Sequence, residues 1–152
     1  MGIPRATHRV ALISMLTLGL AAPLARALET ESALPAVITA GVEAYRAEGA
    51  QAALNAWLKG GPLEGEKQAQ SQAGALIQIE AFYGKFQRAH SLGTFAPSLN
   101  TTLVYLQLDY EKGPVFGKFL TYKPGEKETI VQLTFHTDPD QVLPSQLLLK
   151  AK

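Results

Sequence analysis

The 152-residue chain contains no cysteine. That excludes disulfides, thiolate nucleophiles, thiolate metal sites and a lipid-modified cysteine anchor at once. Histidine is scarce. Of three in the chain, only His90 and His136 lie beyond the first 27 residues, and their separation fits no metal-ligand spacing. A G-x-S-x-G elbow, a phosphate-cradling glycine loop and an H-E-x-x-H pair are all missing. No cofactor and no metal is expected. Internal repeats and low-complexity segments are also lacking. Glu126-Lys127-Glu128 reads as a solvated loop, and Asp138-Pro139-Asp140 as a turn rather than a cation site.

What is present begins with a tripartite leader. Arg5 and Arg9 make a positive start, Val10 to Leu20 an apolar run too short to favour a membrane span, and Ala25-Arg26-Ala27 an A-x-A cleavage site. Residues 1–27 therefore read as a secretory signal, which predicts a periplasmic or secreted protein with no stable membrane anchor after cleavage. Removing it leaves 11 basic and 13 acidic side chains, a net charge of −2. No basic stripe survives, so nucleic acid is not an expected partner. The remainder divides into a single α+β domain over 28–140 and a C-terminal tail over 141–152. It is long enough to build one hydrophobic core without covalent staples.

Three helices are expected first. Ser32 is placed to cap one that starts near Pro35 and carries Leu34, Ile38, Val42 and Tyr45 at helical spacing up to Gly49. Ala50 to Lys59 forms a short second helix showing Leu54, Trp57 and Leu58, and Gly60-Gly61-Pro62 stops it. Glu66 to Phe86 is the longest, with Ala69, Ala73, Leu76, Ile79, Phe82, Tyr83 and Phe86 on one broad face. An edge strand over Gln87 to Pro97 follows.

Leu103 to His136 then reads as a three-stranded antiparallel meander. Its loops are Glu111-Lys112-Gly113-Pro114 and Pro124 to Glu128. If Tyr110 opposes Val115 and Lys123 opposes Thr129, one face collects Val104, Leu106, Leu108, Tyr110, Val115, Phe119, Val131, Leu133 and Phe135. Gly117 leaves a gap in its middle, for which the aromatic end of the third helix is the expected neighbour. The other face is mixed. Leu103, Tyr105, Leu120, Tyr122 and Ile130 are candidates for an interface, covered either by the tail or by a second copy. Asp109 and His136 share this face two strands apart, roughly 10 Å, too far for a hydrogen bond. Trp57, Phe82, Tyr83, Phe86, Tyr110 and Phe119 are candidates to line an apolar ligand pocket between helices and sheet.

Ala81-Phe82-Tyr83-Gly84-Lys85-Phe86, Tyr110-Glu111-Lys112-Gly113-Pro114-Val115-Phe116 and Phe119-Leu120-Thr121-Tyr122-Lys123-Pro124 resemble segments of small bacterial periplasmic proteins of the NTF2-like or cystatin-like α+β type. The likeness runs from about Ser32 to Thr137 and implies helices packed on a curved antiparallel sheet of about four strands, ordered ααα-ββββ. It also implies dimerisation through the outer sheet face. Enzymes of the NTF2-like type place Asp, His or Tyr inside the cone. Here the inward face carries only Tyr110, although Glu80 or His90 could enter from helix three or strand one. The expectation is therefore a non-enzymatic exported domain that binds a small apolar ligand or a protein partner, or forms a homodimer. The alternative is a small isomerase or hydrolase with its pocket between helix three and the sheet.

Overall fold

The computed structural model describes residues 34–149. The signal expected over 1–27, the capping role of Ser32 and the end of the tail, 150–152, lie outside the described residues. Three helices come first: α1 (Ala36–Glu48), α2 (Ala50–Leu58) and α3 (Lys67–Tyr83). Four strands follow: β1 (Phe86–Ser98), β2 (Thr101–Tyr110), β3 (Gly113–Tyr122) and β4 (Thr129–His136). A 3₁₀ turn (Pro139–Gln141) and α4 (Ser145–Leu149) complete the described residues. The described residues form an α+β fold, with four helices and an open antiparallel sheet in meander order β1-β2-β3-β4.

Glycine sets the helix corners. Gly49 alone separates α1 from α2; its φ of 91° is one that a side chain disfavours, and its N–H returns to the Tyr45 carbonyl. Glu80 of α3 reaches this corner, where Oε2 accepts the Ala50 N–H at 3.2 Å. A carboxylate there satisfies one of the free N–H groups at the start of α2 and faces the positive end of its dipole.

The core lies between the three helices and one sheet face. Its centre is Trp57, 1 % exposed, whose Nε1 donates to the Ile38 carbonyl at 3.1 Å. The indole meets Phe119 edge-on with centroids 5.0 Å apart and Phe135 at 5.7 Å. Gly41 of α1 gives the indole its room, because a Cβ there would fall onto the ring. Phe119 and Phe135 lean into the space left by Gly117. The aromatic end of α3 lies elsewhere, with Tyr83 against Gly113.

Two register details differ from expectation, with opposite consequences. The β2–β3 turn is only Glu111-Lys112, so Tyr110 pairs with Gly113 and Leu108 with Val115. Pro114 is tolerated because β4 pairs with β3 only from Phe116 onward, leaving Pro114 on an open edge. This shift of two residues moves no side chain between faces, because the pleat has period two. Between β3 and β4, however, Leu120 pairs with Gln132 and Thr121 with Ile130. Val131 is the extra residue of a bulge, and the alternation flips beyond it. Ile130 therefore belongs to the main core, 0 % exposed, and is not an outer-face interface residue. Its partner Thr121 is also buried, with Oγ1 2.6 Å from Glu128 Oε1. Glu128 is thus hydrogen-bonded and half-buried rather than freely solvated.

The outer sheet face carries a second, smaller cluster. Tyr105, Phe116 and Val142 are buried together, with Leu92, Leu103, Leu143 and Leu147 packed against them. The tail, as far as Leu149, is therefore folded back onto the sheet of the domain. Among the described residues, no helix is long and apolar enough to cross a membrane.

Candidate functional site

The inner side of the sheet is filled. Trp57 and Phe119 are core residues in mutual contact. Phe86 stacks on Tyr45 with ring centroids 4.4 Å apart, and the Tyr45 hydroxyl lies 2.7 Å from that of Tyr110. Burial, the mutual hydrogen bond and the Glu80 carboxylate push the Tyr45 hydroxyl well above its ordinary titration range. Burial does the same for Tyr110, with Glu80 adding to it and the bond from Tyr45 opposing it. Both phenols are neutral hydrogen-bonding groups at any physiological pH. Phe82 is not a pocket residue: it is 72 % exposed on the far side of α3. A helix turns 100° per residue, so Phe82 cannot share the buried side with both Leu76 and Tyr83.

Among the described residues, four of the recesses that indent the surface have linings in which Trp57, Phe82, Tyr83, Phe86 and Phe119 take no part. A cleft of about 590 Å³ between α2 and α3 is lined by Leu54, Leu58 and Ile77 but also by the polar Asn55, Lys59 and Glu64. Between α3 and β4 there is room for only about 80 Å³, walled by Leu63, Gln68, Ala69, Gln72, Val131, Gln132 and Leu133. The third recess is a groove of about 420 Å³ on the outer sheet face, under the tail. Ser91 and Leu92 of β1, Gln107 of β2 and Phe116 of β3 form its floor; Pro139, Leu143, Leu147 and Leu148 form its roof. It has the size and apolar lining of a small-molecule site.

This groove follows from two local features. Leu92 sits at a bulge in β1, where Ser91 pairs with Leu106 and Gly93 with Tyr105, so its side chain turns to the outer face. Gly93 then lets the tail approach, since a Cβ there would meet Leu147 Cδ2 at 3.1 Å. Pro139 begins the 3₁₀ turn, which Asp138 caps by accepting the Asp140 N–H at 3.0 Å.

A polar cluster borders the groove. Arg88 Nε lies 2.9 Å and His90 Nε2 3.0 Å from Asp109 Oδ2, while Gln107 Nε2 donates to Oδ1 at 2.7 Å. The Gln107 bond, together with Arg88 and His90, holds the Asp109 carboxyl below its usual range and outweighs its partial burial. Asp109 is therefore a tethered group, not a freely solvated one. Its histidine partner is His90, from the neighbouring strand. His136 is occupied elsewhere, with Nδ1 accepting the Asp138 N–H at 2.9 Å. The signal for this cluster was Arg-x-His at 88–90 opposite Gln-x-Asp at 107–109, two complementary patterns on adjacent strands. Without the β1–β2 register the two patterns could not be matched.

Of the interface candidates, Leu103 and Tyr105 lie beneath the tail. Leu120 remains half-buried and Tyr122 is 42 % exposed, with Phe95 and Leu99 also exposed at the same end of the sheet. Among the described residues, no group of three or more His, Asp or Glu is placed to hold a metal ion. Comparison with family models, with curated proteins and with solved structures found no match to this chain.

Proposed function

We propose that this chain is an exported, non-enzymatic α+β domain of the NTF2-like or cystatin-like type that binds a small apolar ligand. The binding place is the groove between the outer sheet face and the tail. One observation carries this reading: the apolar space lies outside the sheet, under Leu143 and Leu148, while the inner side is occupied by Trp57, Phe119 and Phe135. The helix-then-meander order supports the fold type, and the tripartite leader supports export. An isomerase or hydrolase working between α3 and the sheet gains no support from an 80 Å³ recess lined by no carboxylate or imidazole.

Native mass spectrometry of the mature protein from its host periplasm, joined to a Nile red titration, tests the groove. A retained small-molecule mass, or dye binding that Leu148→Glu abolishes without altering the urea midpoint, is the expected result. Dye binding that is absent, or unchanged by Leu148→Glu, would refute it. Leu148 is the suitable position because it lines the groove without belonging to the packed cluster beneath it. A second reading, a homodimer or protein partner on the uncovered end of the outer face, is favoured by the exposed Phe95, Leu99 and Tyr122. A dimer mass lost on Tyr122→Glu would support it.

A further inference from the structure

The groove is not closed by apolar residues on every side. Gln107 lines it and also lines a second, more polar recess of about 490 Å³, shared with Arg88, Asp109 and Pro114. One strand row separates the Gln107–Phe116 level from the Asp109–Pro114 level, about 7 Å along the sheet. An apolar floor therefore leads, within the length of a few methylenes, to a charged cluster.

The donors left over in that cluster define its chemistry. Among the described residues, the Asp109 carboxylate accepts from three donors: Arg88 and His90 on Oδ2 and Gln107 on Oδ1. Arg88 uses Nε for this. Among the described residues its two Nη groups meet no hydrogen-bond acceptor, and the side chain is 67 % exposed. A guanidinium held through Nε presents its Nη pair in a fixed fork, the geometry that matches a carboxylate. A cationic group would find a single lone-pair site left on Asp109, at Oδ1, and would have to lie beside the Arg88 guanidinium.

We infer that the ligand of the groove is a single-chain amphiphile with a carboxylate head. Its chain lies on Leu92, Phe116, Leu143 and Leu148, and its head is received by the Nη groups of Arg88. This ligand class builds on the groove reading of the preceding section. Asp109 is the positioning residue, holding the guanidinium in place from behind.

Displacement of Nile red from the mature protein by three twelve-carbon probes, each below its micellar concentration at neutral pH, tests it. The probes are dodecanoate, dodecanol and dodecyltrimethylammonium. Dodecanoate should bind at least about 10-fold more tightly than dodecanol, the scale of a charge-assisted fork. Arg88→Gln should shrink that preference to less than about threefold, by weakening dodecanoate far more than dodecanol. Arg88→Lys, which keeps the charge and loses the fork, should fall between. Equal affinity for acid and alcohol, a preference that survives Arg88→Gln, or tighter binding of the ammonium probe would overturn the head group while leaving the groove standing. Displacement by none of the three would overturn the groove as well.

Discussion

Two glycine-to-alanine substitutions in helices should change stability in opposite directions. Gly41 in α1 and Gly74 in α3 both have φ values open to any residue, so intrinsic propensity favours alanine at each by about 1 kcal/mol. Space separates them. At Gly74 nothing lies within 4 Å of an added Cβ, whereas at Gly41 the Cβ falls on the Nε1, Cδ1 and Cε2 atoms of Trp57. The indole has nowhere to go, being 1 % exposed, wedged against Phe119 and Phe135, and bonded to the Ile38 carbonyl. Overpacking costs about 1–3 kcal/mol. Pulling Nε1 off its acceptor orphans a buried donor for about 1–3 kcal/mol more. Gly41→Ala should thus lose about 1–5 kcal/mol net, lowering the urea midpoint by about 0.5–2.5 M at a slope near 2 kcal/mol/M. Gly74→Ala should raise it by up to about 0.5 M. Equilibrium urea unfolding followed by Trp57 fluorescence reads both. If Gly41→Ala matches Gly74→Ala in sign, the packing of α1 on Trp57 is wrong.

Ile130→Ala should cost about 2–5 kcal/mol, the range for a fully buried Ile, whereas Leu120→Ala on the outer face should cost about 1 kcal/mol; comparable losses would place Ile130 back on the outer face. Tyr45→Phe and Tyr110→Phe should each cost about 1–3 kcal/mol by orphaning the partner hydroxyl, and the double variant clearly less than their sum. Because both folded-state pKa values are raised, the stability they contribute is complete below the ordinary tyrosine value of about 10 and is lost as pH rises beyond it. Urea midpoints measured from about pH 9 to 11 should fall less steeply for the double variant than for wild type; parallel curves would mean that the pair is not buried.

Unlike the inner core, whose ring contacts hold it shut, the proposed ligand groove depends on a short tail. The five-residue α4 has too few internal hydrogen bonds to be stable by itself. It is held by Leu143 and Leu147 against Tyr105 and Phe116. Opening of this segment is a low-energy route into the groove that leaves the main core intact.

Local pattern alone determined the α+β class, the three leading helices, the meander and the membership of most side chains in one sheet face or the other. Helical spacing and strand alternation are properties of neighbouring residues, and a register error of two residues left the faces unchanged. It also identified Leu103 and Tyr105 as groups that something must cover. Tertiary structure alone decided the rest. The bulge at Val131 sent Ile130 inward, because a bulge inserts one residue without a reliable sequence mark. Phe82 was lost from the buried side of α3, whose apolar arc is wider than the sheet can cover. The choice between tail and second copy for the cover over Tyr105 depended on a chain reversal at Pro139, and the Arg88–His90–Asp109 cluster on the pairing of strands 19 to 21 residues apart. Such contacts are set by how strands and tail fold back in space, which no short window of sequence contains.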